Sequence, residues 1–236
     1  MPVPKTAYII TSIIPMSDTK AKLIRIEPTN LTITLREIYL SLLDLCWINN
    51  LPNVSEMFKI SIKKRAEKTL EKLEDELKVN PNSSVSSSAG EYIVSELARS
   101  TVINDLGYMD IPLAELIKQK KTGNPGFDFF AVNSDTVVMI FGEAKYGASS
   151  NAYNRAFSQI VRFVEEENKD VLDMMDLEHF VPEKAKENMV DGIKGYIAAF
   201  SSTVISDEKL KANIESNKHY QALLKYDEVI CVAVSI

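Results

Sequence analysis

Cysteine and histidine are scarce in this chain of 236 residues. Only Cys46 and Cys231, and only His179 and His219, are present. Two cysteines cannot build a disulfide framework or a zinc site, and two lone histidines cannot assemble a histidine-rich metal centre. The cysteine usage points to a reducing, cytoplasmic setting. No apolar run approaches the ~18–20 residues of a membrane span, so no membrane partner is expected. The segment AYIITSIIP is short and interrupted by Thr and Ser, which favours a strand over a signal peptide. There is no GxxxxGK loop for nucleotide phosphates and no internal repeat. A net charge of −6 speaks against coating nucleic acid by bulk electrostatics.

That charge is unevenly placed. From 112 to 163 there are six Lys or Arg against four Asp or Glu; from 164 to 191, ten acids face three lysines. The ordinary meaning of such runs is a pair of solvated helix faces. The alternative is a local basic surface beside an acidic flank.

AKLIRIE (21–27) reads as a short strand, LREIYLSLLDLCWIN (35–49) as a helix, and 55–78 as a half-exposed helix with i,i+4 charge pairs. NPNSSVSSS (80–88), with one Pro and five Ser, has almost nothing to bury and marks a boundary. The chain thus divides into a mostly helical N-terminal extension (1–80), a linker (81–88) and an α/β domain (89–236). In that domain, 88–104 reads as a helix and 113–120 as a weaker strand ending in KQKK. The hairpin 126–146 follows, then a helix over 150–168 with Phe157, Ile160, Val161 and Val164 inward. The acidic stretch to about 191 reads as helical, GYIAAFSS as a strand or a helix end, and EVICVAVSI (228–236) as a buried strand. This order implies a central mixed sheet flanked by helices.

The hairpin GFDFFAVNSDTVVMIFGEAKYG carries three charges inside otherwise apolar strands. A two-residue turn at Ser134–Asp135 would set Asn133 against Thr136 and Asp128 against Phe141. Period-two alternation then puts Asp128, Phe141, Glu143 and Lys145 on one face, and Phe127, Phe129, Gly142 and Ala144 on the other. Asp128 and Glu143 become diagonal neighbours, roughly 7–8 Å apart. Gly142 and Ala144 would let a helix approach from behind. Two carboxylates suit Mg²⁺, which takes one or two from a protein and completes its shell with water and phosphate. A lysine beside them can hold a water or stabilise charge developing on phosphate. The set would serve metal-assisted phosphodiester hydrolysis. Its bland counterpart is an Asp128–Lys145 ion pair of little consequence, with Glu143 at a strand end.

These residues resemble the PD-(D/E)XK nuclease superfamily, in which an acid on one core strand precedes a D/E-x-K on the next, followed by a helix. Asp128 matches the first acid and Glu143-Ala144-Lys145 the E-x-K; Phe127 stands where proline is common. The resemblance spans roughly 88–168 and implies a restriction-endonuclease-like core. It also implies Mg²⁺ (or Mn²⁺) held by Asp128, Glu143 and the Ala144 carbonyl, and DNA as substrate. The superfamily often has a glutamate on the preceding helix, and Glu91 is the matching position. Ser88-Ala89-Gly90-Glu91 is also a capping-box pattern, so that assignment competes with a capping role. On the following helix, Gln159 is the polar candidate near the metal. Arg155 and Arg162 are candidate phosphate contacts or a solvated helix edge, and Lys118, Lys120 and Lys121 a basic approach. LIKQKKTGNPGFD followed by GEAKYG is also similar to the nuclease subunits of Hachiman antiphage systems, which work with a helicase partner. A restriction-type endonuclease is the other sub-reading.

The expectation is therefore a metal-dependent DNA endonuclease in prokaryotic defence or restriction. The alternatives are an RNA-directed nuclease and a non-catalytic subunit that keeps the fold, with the acidic segment and N-terminal helices as docking surfaces.

Overall fold

A computed structural model describes residues 2–52, 54–77, 87–117, 126–203 and 205–236. The elements in chain order are β1 (Tyr8–Pro15), β2 (Ala21–Pro28), α1 (Leu31–Leu43), α2 (Glu56–Leu77), α3 (Ser87–Leu106), β3 (Met109–Asp110), α4 (Ala114–Ile117), β4 (Phe129–Val132) and β5 (Met139–Lys145). Then come α5 (Tyr153–Glu165), α6 (Lys169–Leu177), α7 (Glu183–Val190), β6 (Lys194–Ser201), α8 (Asp207–Glu215), α9 (Lys218–Leu223) and β7 (Glu228–Val234). The seven strands form one curled mixed sheet in the order β1-β2-β7-β6-β5-β4-β3. The central strands β2, β7, β6 and β5 run parallel, and antiparallel pairs flank them on both sides. No helix among the described residues is long and apolar enough to cross a membrane.

Residues 1–80, read as an extension, hold two helices and the expected strand 21–27, but their two strands join the sheet of the α/β domain. β1 and β2 belong to the same sheet as β5, because β2 pairs with β7 from Ala21↔Val229 to Ile26↔Val234. Such a long-range parallel pairing leaves no local sequence mark. Of the segment read as the linker, 81–88, residues 81–86 lie outside the described residues.

Local chemistry explains the shifted helix boundaries. Asn30 caps α1 by accepting a hydrogen bond from the Ile33 N–H at 3.2 Å, which starts the helix four residues before position 35. Asp44 is extended and accepts from the Cys46 N–H at 3.0 Å. This side-chain turn ends α1 and leaves 46–50 as a 3₁₀ turn. Ala114–Ile117, expected as strand, is one helical turn with three of its four residues buried.

The β4–β5 register differs from the two-residue turn. Phe129 pairs with Gly142 and Val132 with Met139, so the connection spans four residues, Ser134–Val137, between Asn133 and Val138. Asn133 organises the turn by accepting from the N–H groups of Asp135 (3.0 Å) and Thr136 (3.2 Å). Val137 takes the left-handed conformation at φ 55°, costly for a β-branched residue, and Asn188 braces its carbonyl at 3.0 Å. Shifting the centre by one residue preserves the face parity, so Asp128 moves from opposite Phe141 to the end of the ladder nearest Glu143. Phe127 changes sides. Its ring packs with Phe141, Phe163 and Tyr196 at centroid distances of 5.3, 5.4 and 5.9 Å, because the chain leaves the ladder at Asp128. Gly142 is covered by the ring of its partner Phe129, not by a helix; a Cβ there would lie 2.4 Å from ring carbons.

On α5, Ala156, Phe157, Ile160, Phe163 and Val164 are buried, while Val161, expected inward, is half-buried. The acidic stretch 164–191 forms α6 and α7, and two of its acids turn inward. Asp173 Oδ2 accepts the Phe127 N–H at 2.9 Å, and Asp170 Oδ2 accepts from Lys194 Nζ (2.5 Å) and the Tyr196 hydroxyl (3.0 Å). Those two carboxylates brace the sheet rather than present a docking surface.

Candidate active site

β5 lies between β4 and β6; residues 139–142 pair on both sides, and the last three pair with β6 alone. Its last three residues, Glu143, Ala144 and Lys145, pair with Ala198, Ala199 and Phe200 at the C-terminal end of the parallel part of the sheet. In open α/β sheets that end is where ligands bind. Glu143 is fully buried; Lys145 keeps 14% of its side chain exposed.

Lys145 Nζ donates to Glu143 Oε1 at 2.5 Å and to the Ala144 carbonyl at 3.0 Å. Glu143 Oε2 is buried and has no hydrogen-bond partner among the described residues. Asp128 closes the site from the β4 side and is held at three points. Its N–H donates to the Gly142 carbonyl (2.9 Å), its own carbonyl accepts from Ala114 N (3.2 Å), and its Oδ2 accepts from Ala144 N (2.8 Å).

Glu91 comes from α3, with Oε1 3.9 Å from Lys145 Nζ. The helix can come this near because of its neighbour Gly90: a Cβ at that position would lie 2.3 Å from the Tyr146 ring. Ser88 and Glu91 both lie within α3, so the helix begins ahead of the capping-box serine.

Burial raises the Glu143 carboxyl well above its ordinary range, Asp128 pushes it further, and Lys145 only partly offsets them. For Lys145, burial works against the charge, but Glu143, Asp128 and Glu91 outweigh it and hold the ammonium above its usual value. Beyond burial, the two shifts share a contributor. Three carboxylates converge on a single ammonium, and the surplus negative charge favours a proton on either group.

α5 forms the other wall. Arg155, Gln159, Arg162 and Glu166 recur at helical spacing and, with Ser158, Glu91 and Lys145, line a cleft of about 570 Å³. Arg155 Nη2 donates to the Tyr146 carbonyl at 2.5 Å and so ties the segment after Lys145 to the helix. Arg162, 48% exposed, pairs with Glu167 at 3.0 Å.

Five of the residues singled out in the sequence therefore meet in one cleft: Glu91, Lys145, Arg155, Gln159 and Arg162. Asp128 and Glu143 are not in its wall and stand behind Lys145. Lys118, Lys120 and Lys121 lie outside the described residues. The sequence reading missed Ser158 and Glu166, although the same α5 periodicity would have found them. It also missed Ser201, whose hydroxyl accepts from Gly147 N (2.8 Å) and donates to Gly147 O (3.1 Å), fixing the turn beyond Lys145. That contact spans 54 residues and has no local signature.

No group of three or more His, Cys, Asp or Glu side chains is poised for a metal among the described residues. Asp128, Glu143 and the Ala144 carbonyl offer hard oxygens of the kind Mg²⁺ or Mn²⁺ take, alongside several waters. The buried Glu143 Oε2 without a donor is the atom that a cation would satisfy. No protein-family model matches the chain, and no curated protein matches it in sequence.

Proposed function

We propose that this chain is a metal-dependent nuclease of the PD-(D/E)XK kind, hydrolysing DNA phosphodiester bonds at the end of β5. The observation that carries the reading is the buried Glu143 carboxylate, which has one oxygen on Lys145 and the other without a partner among the described residues. A core strand has no structural need for such a group, because burying a charge incompletely paired costs several kcal/mol or more.

In this reading Asp128, Glu143 and the Ala144 carbonyl would hold Mg²⁺ or Mn²⁺. When bound, the cation polarises the phosphate and makes a water easier to deprotonate. Lys145 holds the attacking water and stabilises the charge developing on the phosphate oxygens. Gln159 orients groups by neutral hydrogen bonds from α5. Arg162 offers a partly exposed guanidinium to a neighbouring phosphate, while Arg155 keeps the Tyr146 segment in place. The quoted sequence resemblance supports a role in prokaryotic antiphage defence or restriction, with a helicase subunit as candidate partner.

A partner-docking role has an observation of its own. α1 exposes Leu31, Ile33, Leu40 and Leu43, and α2 exposes Met57 and Ile60. Docking alone requires no cation.

The deciding experiment is cleavage of linear, circular and single-stranded DNA, with an RNA control, in Mg²⁺ or Mn²⁺, comparing wild type with Lys145→Ala. Metal-dependent cleavage abolished in the variant supports the nuclease and its site together. Equal cleavage by both proteins overturns the site, and cleavage of RNA alone replaces the substrate.

A further inference from the structure

Lys145 Nζ touches Glu143 Oε1 and the Ala144 carbonyl, two of the three groups assigned to the cation. A Mg²⁺ ion on the unpartnered Glu143 Oε2 and the Ala144 carbonyl would sit roughly 2.0–2.1 Å from its oxygens. The ammonium, 2.5 Å from the other oxygen of the same carboxylate and 3.0 Å from the same carbonyl, crowds and repels it.

We infer that Lys145 is a displaceable internal cation filling part of the metal site, and that Glu91 is the positioning residue that receives its ammonium when the metal binds. The inference rests on the nuclease reading. Two carboxylates are ion-paired to Lys145, Glu143 on its own strand and Glu91 on α3. The Glu91 contact is long, at 3.9 Å. A charge-assisted hydrogen bond settles at roughly 2.7–2.9 Å, so a move of about 1 Å converts the long contact into a full one. Gly90 against the Tyr146 ring fixes α3, and thereby Glu91, at this standoff.

Charge balance points the same way. Asp128, Glu143 and Glu91 carry three negative charges when ionised, and Lys145 offsets one. A divalent cation neutralises the other two only if Lys145 stays in the site. The ammonium therefore shifts from Glu143 to Glu91 rather than leaving. Glu91 lines the open cleft and Glu143 is fully buried, so the shift carries the positive charge from the strand toward the place where substrate phosphate would lie. Lys145 then faces the phosphate only when metal is bound.

The test is calorimetric titration of Mg²⁺ and of Mn²⁺ alone, without nucleic acid, at mildly alkaline pH. It compares wild type, Lys145→Met, Glu91→Gln and the double variant, all checked for fold by circular dichroism. Lys145→Met should bind metal about tenfold tighter, since the competing charge-assisted hydrogen bonds are gone. Glu91→Gln should bind several-fold more weakly than wild type, an effect mostly lost in the Lys145→Met background. Unchanged or weaker binding by Lys145→Met overturns the competition. An equal effect of Glu91→Gln in both backgrounds overturns the transfer, because Glu91 then acts on the metal directly. Should Lys145→Met fail to fold, the Lys145 side-chain ¹⁵N resonance of wild type decides. It should move as Mg²⁺ is added and stay fixed in Glu91→Gln, and a fixed wild-type resonance at saturating metal overturns the inference. Absence of metal binding by every folded protein removes the nuclease reading itself, an outcome distinct from binding without coupling to Lys145.

Discussion

Lys145 Nζ lies 2.5 Å from Oε1 of Glu143, a carboxylate with no exposed surface. The pair makes stability depend on pH in a defined direction. With its carboxyl raised above the ordinary 4.5, folded Glu143 keeps its proton where the unfolded chain has released it. That contribution is complete below 4.5 and declines as pH rises toward the elevated folded value. Lys145 acts in the same direction at higher pH: its stabilisation is present at neutral pH and is lost only above 10.5, as pH climbs through the raised folded value. From acid to neutral pH, therefore, Glu143→Gln should gain stability relative to wild type. Urea denaturation of both proteins across that range measures the difference; a pH-independent difference would contradict the assignment.

Lys145→Ala should reduce cleavage by about 10²–10⁴-fold, the range for loss of one proton-transferring or charge-stabilising group. The defect should appear in kcat more than in KM, because the ammonium acts on charge that develops late. Steady-state kinetics on a defined duplex at saturating Mg²⁺ separates the two, and a pure KM effect would reassign Lys145 to substrate binding.

Gly90→Ala sets two effects against each other. Alanine favours a helix over glycine by about 1 kcal/mol, but its Cβ would fall 2.3 Å from the Tyr146 ring carbons Cγ and Cδ1. Overpacking of this kind costs about 1–3 kcal/mol, so the variant should be destabilised, with Glu91 pushed away from Lys145. Combining it with Tyr146→Ala should recover much of the loss. Additive melting-temperature shifts would refute the contact.

Arg162→Ala should leave stability nearly unchanged, since its pair with Glu167 is largely exposed. If Arg162 neutralises a phosphate, binding should weaken on all sequences alike, and the slope of log affinity against log salt should shrink by roughly one contact. Fluorescence anisotropy at several salt concentrations reads both. An unchanged slope would return Arg162 to the helix edge.

Away from the cleft, Arg99 donates to both Glu96 oxygens at 2.6 and 2.9 Å and also pairs with Asp110, joining α3 to β3. Both partners on α3 are buried. Arg99→Met should cost about 3–5 kcal/mol, because it leaves Glu96 as an uncompensated buried acid. Replacing Glu96 with Gln in the same chain should restore part of that. Guanidinium unfolding of the single and double variants tests both statements.

How far these features were legible differs residue by residue. Asp128, Glu143 and Lys145 could be gathered from the sequence because alternation along a strand is a local rule, and a register error of one position in the turn centre keeps the faces intact. Gln159, Arg155 and Arg162 followed from helical spacing in the same way. The turn itself was misread because Val137 adopts a backbone conformation that its side chain disfavours, held by Asn133 within the turn and by Asn188 from α7. Phe127 changed sides because Asp128 steps out of the ladder to bond the Gly142 carbonyl. The joining of β2 to β7 and the Ser201–Gly147 contact depend on residues far apart in the chain, where no periodicity speaks.

The position of β7 governs the order in which the molecule can be built. It separates the β1–β2 hairpin from β6, so the hairpin has no place in the sheet until residues 228–234 exist. On the ribosome, those strands emerge about two hundred residues before their partner and wait for it with an edge unpaired. The nascent chain therefore holds its parts without their keystone, and a stop codon between β6 and residue 228 yields two pieces of sheet with no strand to join them.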